Sequence, residues 1–506
     1  MFFPGTLSCL FLVRPAPPAQ LSVRRGLRPS ASSSLLGRTW RRPVPRGIDM
    51  KAHYRTAVVQ TSREPLDIAV GFAASGLFDT TMVHETAGEW SLAGGVAAEV
   101  MVDATSIRCT RDGVTRVEPW SGDPLTAVRK FLADLPIHDW TAYGWCAFEL
   151  SHAIAGMVVQ EGTLLHLVIP ETELRLAGSR VYLRSLESDA LTAAENAVAR
   201  IAAESTPTDL PTVPADLEIG ADDYRRRVAS LVADIRAGKL QKAILSREIP
   251  VAAEIDFPAS YHKGRLENTP ARSFLFDMGG LRCFGFSPET VVEVSPDGRV
   301  SSQPLAGTRA LTGDPQLDQK LRDDLLADPK ELHEHAISVK VAVDELIGPC
   351  EPESVVVQEY MSIKERGSVQ HLASRVVGQL PEGASCWDAF AAVFPAVTAS
   401  GVPKRPAYQA ISRYEPNRRG PYAGAVLKVG EDGAMDAALV LRSVYAQSGR
   451  TWLRAGAGIV ERSTPDRELE ETREKLRCVT ASLVACADRA GTAASRTDAV
   501  RTVAHD

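Results

Sequence analysis

The stretch SFLFDMGGLRCFGFSPETVVEVSPDGRVSSQPL, residues 273–305, holds two strand–turn–strand patterns in succession. Apolar runs flank Gly279-Gly280 in the first pattern and Pro296-Asp297-Gly298 in the second. These are turn sequences, because glycine adopts positive φ without steric cost and proline presets the bend. The stretch therefore predicts two antiparallel hairpins.

Outward from these hairpins, the chain continues to favour strands joined by turns. Short apolar runs fill residues 51–205, and further strands are predicted at 239–251, 355–365, 368–380, 422–430, 435–447 and 451–460. Helices are predicted at 190–204, 225–238, 315–347, 404–413 and 465–486. Hairpins outnumber strand–helix–strand units, so the predicted class is α+β, a large α/β sandwich of mostly antiparallel sheets with outer helices.

One domain is predicted over residues 51–490, with a β-rich half at 51–205 and a second half at 220–486. Residues 1–49 contain eight arginines, no lysine and no acid before Asp49, a composition that resembles a transit peptide. A disordered extension, or sequence upstream of a true start at Met50, explains it as well, and this segment is excluded from the predicted fold. Residues 491–506 are predicted to be a flexible tail.

Composition excludes several classes of function. The 506 residues carry a net charge of −6, and no sustained basic run follows residue 50, which argues against nucleic-acid binding. No run of 18 apolar residues occurs, so no membrane span is expected. The eight cysteines form no CxxC pair, which argues against a zinc site or a disulfide framework and fits a reducing cytoplasm.

Two acidic pairs lie on predicted helices, Glu331 with Glu334 and Glu468 with Glu471. Residues three apart share a helical face, so two helices can bring both pairs to one cation. Carboxylate oxygens suit Mg²⁺, which keeps positions for water and an anionic ligand. Each pair taken alone is equally typical of a solvated helix face.

Two ionisable residues adjoin apolar strands. Glu289 follows LRCFGFSP, and burial there would raise the pKa of its carboxyl and keep it protonated as a general acid. Lys242 lies among apolar residues, where desolvation would lower the pKa of its amine toward that of a general base. The alternatives are an acid exposed at a strand end and a lysine at a strand edge facing water.

Nine segments occur in a fixed order: KAILSR, SPET, PLAGTRAL, KELHEHAISV, VQHLAS, FPAVTASGVPK, YAGAV, RAGAGIV and ELEETREK. The series spans about residues 220–486 and resembles the chorismate-utilising enzymes. That family contains anthranilate synthase component I, aminodeoxychorismate synthase, isochorismate synthase and salicylate synthase. PLAGTRAL, RGSVQHLAS, FPAVTASG and GRTWLRAGAGI are most similar to the salicylate synthases of siderophore pathways.

The resemblance implies a role for each matched position in a buried site between sheets. For catalysis, Lys242 activates water to attack C2 of chorismate, Glu289 protonates the departing C4 hydroxyl, and His371 and Thr398 lie near the ring. For substrate binding, the implied residues are Tyr422, Arg442 and Gly456 at the enolpyruvyl carboxylate, and Gly307, Thr308 and Lys475 at the ring carboxylate. For Mg²⁺, Glu334 and Glu471 are nearest, and Glu331 and Glu468 act through water.

The nucleophile separates the branches of this family. Amine-transferring members take ammonia from a glutaminase partner and generally lack a lysine at the position of Lys242, so its presence implies water and no glutaminase subunit. Ala306 stands where the aminodeoxychorismate branch has lysine. A non-catalytic binding protein is disfavoured because every matched acid, base and carboxylate-binding residue is intact. Gln303, where some relatives have an acid, departs from the pattern outside the matched positions.

The expected function is Mg²⁺-dependent conversion of chorismate, through isochorismate, to salicylate and pyruvate by a cytoplasmic monomer, for siderophore or related metabolism. An isochorismate synthase that stops after hydroxyl exchange is the alternative, followed by an anthranilate synthase component I-like, amine-transferring enzyme.

Overall fold

The structure is a computed structural model that describes residues 51–204, 206–207, 210–367 and 369–486. The predicted extension at 1–49 and the predicted tail at 491–506 lie outside these residues. No helix in the described part is both long and apolar enough to cross a membrane.

The described residues form two kinds of regular element, numbered here in chain order. The strands are β1 (Arg55–Gln60), β2 (Thr81–Thr86), β3 (Glu89–Gly94), β4 (Ala98–Val102), β5 (Ser106–Arg111), β6 (Val114–Pro119), β7 (Thr141–Cys146), β8 (Leu165–Ile169), β9 (Thr172–Ala177), β10 (Arg180–Ser185), β11 (Lys242–Val251), β12 (Arg272–Met278), β13 (Leu281–Ser287), β14 (Thr290–Val294), β15 (Arg299–Ser302), β16 (Leu305–Ala310), β17 (Val356–Arg366), β18 (Val369–Gln379), β19 (Gly401–Val402), β20 (Ala425–Gly430), β21 (Met435–Leu439), β22 (Ser443–Gln447) and β23 (Arg450–Ile459). The helices are α1 (Pro65–Ala74), α2 (Leu125–Ala133), α3 (Leu150–Ile154), α4 (Ser188–Ala203), α5 (Ala221–Arg236), α6 (Phe257–Glu267), α7 (Pro315–Ala327), α8 (Pro329–Leu346), α9 (Cys386–Val393), α10 (Lys404–Tyr414) and α11 (Pro465–Thr480).

The strands form two large antiparallel sheets, which confirms the predicted fold class. The first sheet has the order β1-β10-β9-β3-β2-β12-β13-β22-β23-β11-β19. The second has the order β16-β18-β15-β14-β21-β20-β7-β8-β4-β5-β6, with β17 also paired to β18. Strands from the two halves of the chain alternate in both sheets, since β2 pairs with β12 and β7 lies between β20 and β8.

The sheets face each other across an apolar core. Trp145 of β7 and Phe276 of β12 belong to different sheets, and their rings stack with centroids 6.5 Å apart. Helices pack on the sheets from outside, with α11 on β23, α5 on β11 and α8 on β16 and β18. Because the strands are apolar on their inner faces, any charged group held between the sheets must be paired or serve a purpose.

The hairpins around residues 273–305 form as predicted. Gly279 and Gly280 have φ values of 59° and 77° and connect the paired residues Met278 and Leu281. This is the two-residue turn that glycine favours. The second hairpin pairs β14 with β15 around Gly298, whose φ is 79°.

Three predicted elements differ from the structure. The helix expected at 315–347 is two helices, because Pro329 starts a new one and the Asp328 carboxylate accepts hydrogen bonds from the N–H groups of Lys330 and Glu331. The strand expected at 435–447 is β21 and β22, which belong to different sheets. The last helix ends at Thr480 rather than 486, since Val484 and Ala485 make β-bridges to other segments.

Candidate active site

A cavity of about 940 Å³, with the space at its mouth included, is lined by residues from both sheets and from α8 and α11. Of the residues predicted for the site, those that line the cavity are Lys242, Glu289, Gly307, Thr308, Glu334, His371, Thr398, Tyr422, Arg442, Gly456, Glu471 and Lys475. Glu331 lines an adjoining cavity that shares Glu334 and Glu471, and Glu468 is buried one helical turn before Glu471.

Lys242 begins β11 and is almost fully buried, so the alternative of a strand-edge lysine facing water is wrong. Its Nζ donates a hydrogen bond to Glu334 Oε1 at 2.6 Å. Burial by itself would raise the pKa of Glu334, but the charge of Lys242 outweighs it and leaves that pKa below its usual value. The pair packs over Gly458 of β23, where a Cβ atom would lie 3.1 Å from Glu334 Oε1 and 3.3 Å from Lys242 Cε.

Glu289 lies just before β14 with 4% of its surface exposed, so it is not an exposed acid at a strand end. Desolvation raises the pKa of its carboxyl to about 8, although Thr398 Oγ1 donates a hydrogen bond to Oε1 at 2.7 Å. Its backbone carbonyl accepts hydrogen bonds from the Leu439 N–H and the Ser287 hydroxyl, which fix the residue in place. This carboxyl lines the cavity and is mostly protonated at neutral pH, so it can donate a proton there.

Arg442 and His371 form a hydrogen-bonded chain on the cavity wall. Arg442 Nη2 donates to His371 Nε2 at 3.0 Å, so the imidazole proton is on Nδ1, which lies 3.0 Å from Thr308 Oγ1. Burial and the charge of Arg442 lower the pKa of His371 well below its usual value, so the ring is neutral. Among the described residues no carboxylate pairs with Arg442, whose other contact is the Arg366 carbonyl. Its guanidinium charge is therefore free for a ligand anion.

Arg442 also has a φ of 51°, in the left-handed region that non-glycine residues rarely occupy. The residue lies where the chain passes from β21 in one sheet to β22 in the other. Backbone strain of this kind is concentrated at binding and catalytic sites.

Tyr422 and Lys475 complete the cavity wall at Gly456. A Cβ atom on Gly456 would lie 2.9 Å from the Tyr422 hydroxyl and 2.8 Å from the Leu245 carbonyl, so only glycine fits. Lys475 Nζ donates to the Gly456 carbonyl at 2.9 Å and to Glu471 Oε1 at 2.8 Å. Backbone, phenol and ammonium groups thus converge on one end of the cavity.

Comparison with known proteins gives the family. The sequence pattern shared by the chorismate binding enzymes matches residues 82–481 of this chain. The chain belongs to the chorismate binding enzyme family. It is 41% identical over 428 residues to a salicylate synthase of Mycolicibacterium paratuberculosis, which covers 83% of this chain and 94% of that protein.

Two solved structures share the fold of this family member. Anthranilate synthase component I from Streptococcus pneumoniae matches with a TM-score of 0.65 and 25% identity, over 78% of this chain and 92% of that one. The menaquinone-specific isochorismate synthase from Escherichia coli matches with a TM-score of 0.63 and 22% identity, over 85% and 96% of the two chains.

The four predicted metal ligands are gathered near Lys330, whose ammonium interacts with Glu331, Glu334, Glu468 and Glu471. They do not form a ready-made ligand set, because Glu334 and Glu471 are bonded to lysines. No three His, Cys, Asp or Glu side chains in the described part of the chain are placed to hold one ion.

The donor chemistry nevertheless fits Mg²⁺. All four candidates offer carboxylate oxygens, and Mg²⁺ commonly uses one or two of these together with water and substrate. Glu468 Oε2 is buried without a hydrogen-bond partner. Burial, with repulsion from Glu471, also raises the pKa of Glu468, which a cation beside it would reverse.

A buried ion network behind Tyr422 was not predicted from the sequence. Glu415 accepts hydrogen bonds from Arg419 at 2.7 Å and from Arg454 at 2.7 Å, and both guanidinium groups lie within 6 Å of the Tyr422 ring centre. Arg454 also lines the cavity. The signal was present in the sequence, because Arg454 interrupts an apolar strand in the same way as Lys242.

Proposed function

We propose that this chorismate binding enzyme is a salicylate synthase, which converts chorismate through isochorismate to salicylate and pyruvate. The observation that carries the proposal is that one cavity contains both a buried lysine, Lys242, and a buried protonated carboxyl, Glu289. The 41% identity to a salicylate synthase over most of both chains supports it.

In the first step, water replaces a hydroxyl group. Lys242, once its ammonium group has released a proton, takes another from water as the water oxygen attacks C2 of chorismate, the ring double bonds shift, and the C4–O bond breaks. Glu289 gives its proton to the departing oxygen, which leaves as water, so the product is an isomer of the substrate. This exchange requires a base at the attacking water and an acid at the departing oxygen. The raised pKa of Glu289 keeps its carboxyl protonated at neutral pH.

The substrate carries two carboxylates whose hydration must be replaced. Arg442 has no carboxylate partner in the described residues and can bind one carboxylate with two parallel N–H bonds. Lys475 and the backbone at Gly307 line the same cavity and can bind the second carboxylate. Mg²⁺ held by Glu334 and Glu471, with Glu331 and Glu468 behind them, would supply positive charge to that carboxylate when bound.

In the second step, isochorismate loses its side chain. The C3–O bond breaks, and the hydrogen on C2 moves to the methylene carbon of the leaving group, which becomes the methyl group of pyruvate. The ring becomes aromatic as salicylate, and no water is consumed. His371 is neutral and hydrogen-bonded at both nitrogens, so it and Thr398 shape the ring pocket without adding charge.

The test is to incubate the purified protein with chorismate and Mg²⁺ in the absence of ammonia and to separate the products by chromatography. Equal amounts of salicylate and pyruvate are expected. Accumulation of isochorismate alone would make the protein an isochorismate synthase. Formation of product only after ammonia is added would refute water as the nucleophile and restore the need for a glutaminase partner.

A further inference from the structure

A second cleft lies on the far side of the Lys242–Glu334 pair. It encloses about 1800 Å³, including the solvent at its mouth, between the end of α5, the residues that lead into β11 and the first half of α8. Leu240, Ile337 and Val460 contribute apolar wall. We call this space the rear cleft.

The rear cleft meets the active-site cavity at one place. Among the described residues only Lys242 and Glu334 line both spaces, and their side chains are bonded at 2.6 Å. The aliphatic stem of Lys242 and the carboxylate of Glu334 thus form the partition. Both side chains rotate about several single bonds, so a small movement of either joins the two spaces.

The active-site cavity also merges with a third cavity, which shares Glu334, His371, Arg442 and Lys475 with it and continues to Arg309 and Arg467. Among the described residues, this third cavity shares only Lys330 and Glu334 with the rear cleft. Six basic and four acidic side chains line the third cavity, and this balance suits entry of a dianion. A bound substrate would therefore block the path that runs past Arg442 and Lys475.

We propose that the rear cleft is the entry route for the water nucleophile and that the Lys242–Glu334 pair is its gate. The inference rests on the proposed function, because it gives a path to the nucleophile of the first step. Water reaching the cavity by this route passes the amine of Lys242, which lines the rear cleft and the active-site cavity but not the third cavity. A passage for one water molecule needs only about 10–15 Å³ of free space, so a gate formed by two side chains is wide enough.

Blocking the rear cleft tests this route. Ile337 is half-buried on α8, one turn beyond Glu334, and Ile337→Trp would fill the cleft beside the gate. Val460→Trp would fill it from the opposite wall. Both variants should slow conversion of chorismate at least tenfold, whereas salicylate release from supplied isochorismate, which consumes no water, should stay within twofold of wild type.

The matched control is Ile347→Trp at the end of the same helix, where Ile347 is 43% exposed and lines neither space. It should leave both rates unchanged. Parallel losses with chorismate and isochorismate would mean that the tryptophans damage the site itself, and unchanged chorismate conversion in both variants would place the water route elsewhere. Either result overturns the inference. Failure of the wild-type protein to convert chorismate without ammonia would instead overturn the proposed function.

Discussion

Replacing Glu289 by glutamine should change how the stability of this protein depends on pH. The folded protein keeps the Glu289 carboxyl protonated up to about pH 8, whereas the unfolded chain ionises it above its ordinary pKa of 4.5. Between these values the unfolded state holds fewer protons at this group than the folded state, so rising pH favours unfolding. The slope is about 1.4 kcal/mol per pH unit, or about 4 kcal/mol between pH 5 and pH 8.

Glutamine has the same shape, accepts the Thr398 hydrogen bond and does not titrate. The difference in unfolding free energy, variant minus wild type, should therefore increase by about 4 kcal/mol between pH 5 and pH 8. Urea denaturation at pH 5, 6, 7 and 8, followed by tryptophan fluorescence, measures the difference. Glu118→Gln on the exposed strand β6 is the control, and its unfolding free energy should depend on pH in the same way as that of wild type.

Parallel curves of unfolding free energy against pH for Glu289→Gln and wild type would refute the conclusion that this carboxyl is held neutral by burial.

The same pKa has a kinetic consequence if Glu289 is the general acid. Turnover of chorismate by wild type should fall about tenfold per pH unit above pH 8, and Glu289→Gln should lose about 10²- to 10⁴-fold relative to wild type at pH 8 and below. Variant turnover that equals wild type at pH 7 would remove Glu289 from the mechanism.

Three further substitutions test the remaining roles. Lys242→Ala should abolish conversion of chorismate, since no base remains, and unchanged product formation on chromatography would contradict the mechanism. Glu471→Ala should weaken Mg²⁺ binding at least about tenfold by isothermal titration calorimetry, and an unaltered titration would move the metal away from α11. Arg442→Lys should raise KM for chorismate about tenfold to a hundredfold, because a lysine cannot form two parallel bonds to a carboxylate; an unchanged KM would show that the guanidinium does not bind substrate.

Local signals in the sequence predicted much of the fold. The glycine pair at 279–280 fixes its hairpin within a few residues, and the structure agrees in position. The break at Asp328 was also local, since an Asp-Pro pair is a helix-starting signal, but it was outweighed by the helical pattern on either side of it. The division of 435–447 between two sheets has no local signal, because it depends on which distant strands pair with each half.

The candidate site was likewise only partly predictable from local sequence. Spacing and apolar context singled out Lys242 and Glu289 and suggested burial for both. The hydrogen bond between Lys242 and Glu334 joins residues 92 positions apart and follows only from the packing of α8 on β16 and β18. The rear cleft could not be predicted from the sequence either, since it is formed by the space between elements rather than by any motif.

The alternation of early and late strands within each sheet bears on how this protein is made. β7 pairs on one side with β20, so it must wait in the growing chain until residue 430 has left the ribosome. At about 5–20 residues per second this takes roughly 15–60 s. During that interval an apolar strand has an open edge, which other chains can join. Chaperone supply during expression, rather than the stability of the finished protein, should therefore set the yield of soluble enzyme.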